Sequence, residues 1–362
     1  RQLRKEIGYQ EVQTPQINKA ELFRISGHYD KYKDDMFRVK SNYTEEEYFM
    51  KPMNCPHHVE VFASSPKSYR DLPLRIAEFG TVYRYEQSGE VGGLTRVRGF
   101  TQDDAHIFCR EDQVIDEFIK VFEFVDVLFK GLGLTDYSHR LSLPGKEKDK
   151  YAGNKKQWDK AISLIRKALK KKNIKCLEVE GEAAFYGPKL DVVFHDALGR
   201  EWQISTIQVD FLQPERFNLT YIGKDGKEQR PYMIHRAPLG SRERIMAILL
   251  EHHKGAFPTW LAPEQVWILP ISDKFEKTAE GVKKQLEEKI PSLRVMLRSE
   301  SETLGKRIRE GEKQKIPYVL VIGEKEKKAG TISVRQRGKG DLGALTVQKF
   351  AIQIEKEINE KK

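Results

Sequence analysis

A chain of 362 residues that is 39% hydrophobic, with 64 Lys and Arg against 54 Asp and Glu for a formal charge of +10, holds apolar material for two domains and favours a polyanionic partner. No apolar run approaches the roughly 20 residues of a membrane span, and the opening RQLRKEIGYQ lacks the apolar centre of a signal peptide. Three cysteines without patterned spacing exclude a disulfide framework, so a soluble, cytoplasmic protein without membrane association is expected.

In chain order, the stretch from Arg75 to Cys109 reads as two strand-like halves around a glycine-containing loop, an antiparallel ribbon. Apolar positions from Val114 to Phe129 recur at helical spacing, and Gly131 with Gly133 ends the pattern. Pro144 to Asn154 reads as an exposed loop, and Asn154 to Lys172 as a lysine-rich amphipathic helix. The runs 189–195 and 200–211, joined by Asp196-Ala197-Leu198-Gly199, predict an antiparallel hairpin. IHRAPLGSRERIMAILLEH combines a short strand, a turn and an amphipathic helix that Ser241 can cap. A boundary between Pro258 and Pro263 divides the chain into 1–262 and 263–362. Beyond it, alternating apolar strands and helices predict a smaller α/β module with a partly parallel sheet, closed by a helix near 347–361.

Several residues are suited to chemistry. Arg84 and Glu86, two apart, share one strand face, and Gln102, Asp104 and His106 alternate in the same way on the other half of the ribbon. Five polar side chains on one surface suit a ligand; the same pattern also describes a solvated face. Arg84, Arg96 and Arg98 around a flexible loop suit phosphate, because a guanidinium donates two parallel charge-assisted bonds to its oxygens. Phe100 can stack on a base or pack in a core. Arg244 near a helix N-terminus opposes the macrodipole unless an anion is beside it. Cys55, His106 and His235 make a sound zinc set with an open fourth position, although their separations match no local zinc motif. A buried thiol and two hydrogen-bonded histidines fit the same residues, and His57 and His58 could compete as ligands.

Three segments in order resemble the signature motifs of class II aminoacyl-tRNA synthetases: GYQEVQTPQI, YRYE with RVRGFTQDD, and IHRAPLGSRER. Together with SGHYDKYKDDMF, KPMNCPHH, TQDDAHIFC, AAFYGPKLD, EWQISTIQVDF and FPTWLAPEQV, they resemble the threonyl-tRNA synthetase family across essentially the whole chain. The resemblance implies an α+β catalytic domain built on an antiparallel sheet with flanking helices, followed by an anticodon-binding α/β domain with a mixed sheet. It implies activation of L-threonine with ATP and Mg2+, transfer to tRNA(Thr), and a homodimer built through the first motif. Longer bacterial members also carry an editing domain against serine, and the expectation for this chain is measurable serine mischarging.

The same resemblance implies roles for particular residues. Cys55, His106 and His235 fall at the positions of Zn2+ ligands, where the metal meets threonine's amino group and hydroxyl. Asp104 would accept the threonine hydroxyl's hydrogen bond, while Met53, Gln102, Tyr186 and Gln208 line the amino-acid pocket. Arg84 would bind the α-phosphate, and Glu86 and Phe100 would hold adenine. Arg96 and Arg244 would anchor the terminal phosphates, with Gln203 and Thr206 nearby. His28 corresponds to a candidate base for the transfer step, a role that titration near neutral pH would suit; Tyr29 stands where the family has tryptophan. Glu326 and Arg335 fall where anticodon bases are read, and Lys325 could assist. Gln203 lies out of step with Thr206 and Gln208 in a regular strand, so a shared pocket requires a bulge between them.

Overall fold

A computed structural model describes all residues except 148, 149, 300 and 362. The chain divides into two compact units, Arg1–Ile248 and Leu249–Lys362. In chain order it begins α1 (Gln2–Ile7), β1 (Gln10–Glu11), β2 (Ile17–Lys19), α2 (Ala20–Ser26), α3 (His28–Tyr32), β3 (Arg38–Val39), β4 (Tyr48–Met50) and α4 (Cys55–Ala63). It continues β5 (Leu74–Tyr83), β6 (Gly99–Cys109), α5 (Val114–Leu132), β7 (Tyr137–Leu143), α6 (Lys155–Lys171), β8 (Leu177–Glu180), β9 (Lys189–His195) and β10 (Glu201–Asp210). Then come α7 (Gln213–Arg216), β11 (Tyr221–Ile222), β12 (Glu228–Gln229), β13 (Tyr232–Ala237) and α8 (Arg242–His252).

The first unit is organised by an eight-stranded sheet in the order β1-β5-β6-β13-β10-β9-β7-β8. The outer pairs β1/β5 and β7/β8 are parallel and the pairs between them antiparallel. One face is sealed by α5 and α6, whose apolar stripes bring Phe118, Val121, Trp158 and Ile165 against Ile107, Ile207, Val209 and Ile234. Gly133 ends α5 in the left-handed conformation, and Asn154 caps α6 by accepting from the Gln157 amide. Of the loop expected over 144–154, residues 148 and 149 lie outside the described residues. No described helix is long and apolar enough to cross a membrane.

The period-2 alternation of β6 places Asp103 on the face opposite Gln102 and Asp104, where it accepts from Arg4 at 3.2 Å and Arg236 at 3.0 Å. That buried pair of arginines ties α1 to the two central strands. Glu117 of α5 similarly accepts both Arg75 Nε and a terminal guanidinium nitrogen at 2.7 Å, clamping the helix to β5. Burial opposes ionisation of Glu117, but the hydrogen bonds from Arg75 and Lys120 outweigh it and hold the carboxyl below its ordinary 4.5. The pair's stabilisation is therefore present above about pH 4.5 and lost as the pH falls through the depressed folded value. Glu117→Ala is expected to cost about 3 kcal/mol in urea unfolding at pH 7, because it leaves Arg75 largely buried without its partner.

In the second unit, β14 (Val266–Pro270), α9 (Glu276–Lys289), β15 (Val295–Leu297), α10 (Leu304–Lys313) and β16 (Tyr318–Ile322) follow the expected alternation. The sequence reading did not include α11 (Glu324–Ala329), β17 (Thr331–Gln336) and β18 (Gly340–Thr346), which precede the closing helix α12 (Val347–Asn359). The sheet order is β15-β14-β16-β17-β18, parallel across the first three strands and antiparallel across the last two pairs. Val266, Ile268, Leu320, Val334, Leu286, Phe350 and Ile354 form its core.

Candidate active site

The centre of the large sheet carries a cross-strand row. Strand register aligns Ile76 with His106, His106 with His235, His235 with Gln208, and Gln208 with Lys189. Directly paired residues share a face, so His106, His235 and Gln208 project together on the side away from α5 and α6. One step along, Glu78 pairs with Asp104 and Gly80 with Gln102. A Cβ on Gly80 would collide with the Asn54 amide. That missing side chain lets the start of α4 approach the sheet, where Asn54 Nδ2 donates to Asp104 Oδ2 at 2.9 Å. Cys55, the next residue, is thereby delivered to the two histidines.

The ligand atoms of Cys55, His106 and His235 lie within 4.8 Å of one another, and all three residues are buried. Each histidine has one nitrogen already engaged: His235 Nε2 meets Asp210 Oδ2 at 2.8 Å, and His106 Nδ1 meets His58 Nδ1 at 2.7 Å. A soft thiol and two imidazoles, each with one nitrogen to spare, fit a tetrahedral Zn2+ with the fourth position open to the cavity. Burial pushes the Cys55 thiol well up and His106 well down, so metal binding has to remove the thiol's proton. His57 and His58, the competitors within the sequence, do not join this cluster.

The cluster opens on a cavity of about 440 Å3 lined by Met53, Cys55, Arg84, Gln102, Asp104, His106, Tyr186, Gln203, Thr206, Gln208, His235 and Arg244. Tyr186 stacks on His235 at 4.8 Å between ring centres and donates to Gln208 Oε1 at 2.7 Å. It can do so because Gly187 passes against the Val209 carbonyl, where a Cβ would clash. The β9/β10 register shifts between Gln203 and Ser205, the bulge that the parity argument requires. Gln203 Nε2 and Thr206 Oγ1 consequently both donate to Asp191 Oδ1, at 2.7 and 3.0 Å.

The arginines occupy the other polar part of the site. β5 ends at Tyr83, so Arg84 and Glu86 stand beyond the regular strand rather than on one of its faces as expected. Arg84 lies 5.2 Å from the Phe100 ring and donates to the Pro52 carbonyl at 3.3 Å. Arg84 and Met53 also border a second cavity of about 210 Å3, which contains Glu86 and Arg96. There Arg96 Nε donates to Glu86 at 2.7 Å, so its guanidinium is held by carboxylate. Arg244 donates to the Thr95 carbonyl at 2.8 Å, and its backbone amide donates to the Ser241 cap. Burial, then the cations Arg96 and Arg84, depress the Arg244 guanidinium below its usual range. A buried guanidinium crowded by two further cations suits an anion.

His28 is not among the lining residues of the main cavity. It is fully buried behind the cluster, with Nε2 at 3.1 Å from Met53 Sδ and 3.5 Å from Cys55 Sγ. Burial, with His235 and Arg84, pushes it down to about 3, in contrast to the near-neutral titration expected of it; the ring is neutral at pH 7. Tyr29 packs edge-on to Phe49 at 5.7 Å. In the second unit, Glu326 caps α11 by accepting from the Gly323 amide at 2.9 Å. Arg335 stands near the far end of β17, 3.8 Å from Asp341, and borders a groove with Ile308 and Glu312.

Sequence reasoning missed the supports: Asp191, Asp210, Asn54, His58 and Glu78. Asp191 and Asp210 each lie two residues beyond a pocket residue, Lys189 and Gln208, and that same-face spacing was the available signal. Asp210→Asn, which removes the anion against His235, is expected to weaken zinc binding roughly 10–100-fold in a chelator competition.

Residues 37–253 match the family described as tRNA synthetase class II core domain (G, H, P, S and T), and residues 265–357 match the anticodon binding domain. Fold, site and these matches make the chain a member of the class II tRNA synthetases. A crystal structure of the RNA binding domain of threonyl-tRNA synthetase from Cryptosporidium parvum is 39% identical, with a TM-score of 0.91 over 98% of this chain and 87% of that one. At that level the chain belongs to the threonyl-tRNA synthetase family. The threonine–tRNA ligase of Porphyromonas gingivalis is 50% identical over 99% of this chain and 55% of its own length, and that of Thermus thermophilus 52% identical over 95% and 52%. The chain thus spans about half the length of the curated relatives it matches. A prolyl-tRNA synthetase from Giardia lamblia, 17% identical with a TM-score of 0.72, shares the fold.

Proposed function

We propose that the chain activates L-threonine with ATP and Mg2+, forming threonyl-adenylate and pyrophosphate, and transfers threonine to the 3′ end of tRNA(Thr). The observation that carries this reading is the opening of the Cys55, His106 and His235 cluster into the same cavity as Asp104, Arg84 and Arg244. An amino-acid site and an anion site in one enclosure suit a reaction that joins a carboxylate to a phosphate.

Cys55, His106 and His235 would hold Zn2+, which would supply a Lewis acid for recognition of threonine's amino group and hydroxyl. Asp104, oriented by Asn54, accepts the hydroxyl proton's hydrogen bond; Gln102, Gln208, Tyr186 and Met53 enclose the rest of the amino acid. Valine matches threonine in shape but offers a methyl in place of the oxygen, and a site whose polar groups require a hydroxyl rejects such an analogue by roughly 10⁴–10⁵. Serine keeps the hydroxyl and lacks one methyl, worth about 1–3 kcal/mol, so it is excluded far less well.

The threonine carboxylate attacks the α-phosphorus as the bond to pyrophosphate breaks. Arg84 donates to the α-phosphate oxygens and stabilises the charge that grows there. Phe100 and Glu86 hold the adenine, by stacking and hydrogen bonding, and Arg96 and Arg244 take the terminal phosphates. Arg96 exchanges its Glu86 contact for phosphate when the nucleotide arrives. Gln203 and Thr206, gathered by Asp191, position the nucleotide from the opposite wall. In the transfer step the terminal ribose hydroxyl displaces AMP; His28, the base that the resemblance implies, is buried behind Met53 and takes that proton only if Met53 moves aside.

We assign catalysis to 1–262 and anticodon binding to 263–362, with Glu326 and Arg335 facing single-stranded bases and Lys325 on the backbone. The catalytic parts pair as a homodimer in the cytoplasm. Incubating the zinc-loaded protein with ATP, Mg2+, labelled threonine and tRNA(Thr) transcript tests the reading: acid-precipitable, base-labile label on the RNA supports it. Absence of label with a folded, zinc-loaded protein would favour a noncatalytic tRNA-binding role.

A further inference from the structure

Beneath the proposed zinc cluster lies a buried polar chain that the reaction above does not use. His106 Nδ1 and His58 Nδ1 are 2.7 Å apart, and His58 Nε2 is 3.3 Å from Glu78 Oε2. Both His58 and Glu78 are buried. The same carboxylate accepts from the Thr14 amide at 3.0 Å, the Thr14 hydroxyl at 2.8 Å and Lys51 Nζ at 3.1 Å.

The chain has a direction. A carboxylate paired with an ammonium accepts only, so a His58 ring with a single proton carries it on Nε2 and presents an Nδ1 lone pair. Between the two facing Nδ1 atoms one must donate, and only His106 is left to do so. That arrangement puts the His106 proton on Nδ1 and leaves its Nε2 lone pair for the metal cluster. Lys51 and Thr14 make Glu78 a common anchor. Lys51 stands four residues before Cys55, so one buried carboxylate ties the segment carrying the thiol to the strand carrying the imidazole.

We propose that His58 and Glu78 are positioning residues that set the tautomer and ring orientation of His106 and so determine how firmly the site retains its zinc; this rests on the zinc reading above. A ligating histidine ordinarily donates its second nitrogen directly to a carboxylate, carbonyl or water. Here a second histidine carries that contact to a carboxylate shared by three other donors.

The test compares wild-type protein, His58→Gln and His58→Leu. A glutamine amide can accept from His106 and donate to Glu78, whereas leucine can do neither. Each protein is loaded with zinc, metal content is measured by elemental analysis, and zinc release to a chelator is followed by a chromogenic indicator, with thermal unfolding of the apo forms as a control. The expected result is equimolar zinc on the wild type, release roughly 10–100-fold faster from His58→Leu, and release from His58→Gln close to wild type. Wild-type release kinetics in folded His58→Leu would overturn the inference while leaving the zinc reading intact; a wild type that binds no zinc would remove the zinc reading and this inference with it. Should His58→Leu fail to fold, the nitrogen-15 spectrum of the wild-type histidines decides. A proton on Nδ1 of His106 in the zinc-loaded protein supports the relay, and a proton on Nε2 overturns it.

Discussion

Replacing Cys55 with alanine is expected to lower threonine-dependent ATP–pyrophosphate exchange by at least about a thousandfold, because it would remove one of three ligands of the proposed zinc, a contact worth several kcal/mol. The thiol sits at the first turn of α4, closed against His106 and His235 by the approach of Asn54 over Gly80. Its loss leaves two imidazoles, a set too small to retain Zn2+ with an open position for substrate. The signature separates this from misfolding. Zinc content falls with activity, while the unfolding midpoint of the metal-free variant matches that of the metal-free parent. Equal exchange by Cys55→Ala and the parent would mean that threonine is not selected at this cluster.

Arg84→Ala should cost roughly 10²–10³ in kcat, the effect of removing one preorganised donor from developing charge, about 2.7–4 kcal/mol. The guanidinium is braced by the Pro52 carbonyl and the Phe100 ring, and it borders both cavities of the site. An interaction strongest in the transition state lowers kcat more than it raises the KM for ATP. Arg84→Lys should rescue little, since an ammonium cannot reproduce the planar two-point contact. A variant in which only the KM for ATP changes would demote Arg84 to ground-state binding. Arg96, already paired to Glu86 and exposed, is expected to show that milder behaviour.

Much of this arrangement is legible in sequence because strands have a fixed period. Gln102, Asp104 and His106 had to share a face, and the mismatch of Gln203 with Thr206 and Gln208 had to be resolved by a bulge, which lies between Gln203 and Ser205. The same logic failed at Arg84 and Glu86, because nothing in YRYEQ marks the end of β5 at Tyr83. The supporting shell was invisible for another reason. Asn54 meets Asp104, and Thr14, Lys51 and His58 meet Glu78, across separations of 20 to 64 residues, and local periodicity carries no information about such pairings. In the second unit, β18 escaped notice because its residues are almost all exposed and glycine-rich, so neither an apolar run nor an alternation marks it.

Burial also revised the expected chemistry of His28. Its place in SGHYDKY suggested a group titrating near neutrality, but enclosure beside Cys55, Met53 and Phe185 leaves it neutral well below pH 7. A sequence names the imidazole; the surrounding apolar volume sets its proton affinity.

The central claim is that hydroxyl recognition and nucleotide activation occur in one cavity, and amino-acid-dependent ATP–pyrophosphate exchange tests it most directly. Threonine, serine, valine and proline are to be compared on the same zinc-loaded preparation. The account predicts strong exchange with threonine, measurable exchange with serine, and exchange with valine and proline at background. Exchange with valine comparable to threonine, or with proline in preference to both, would contradict it.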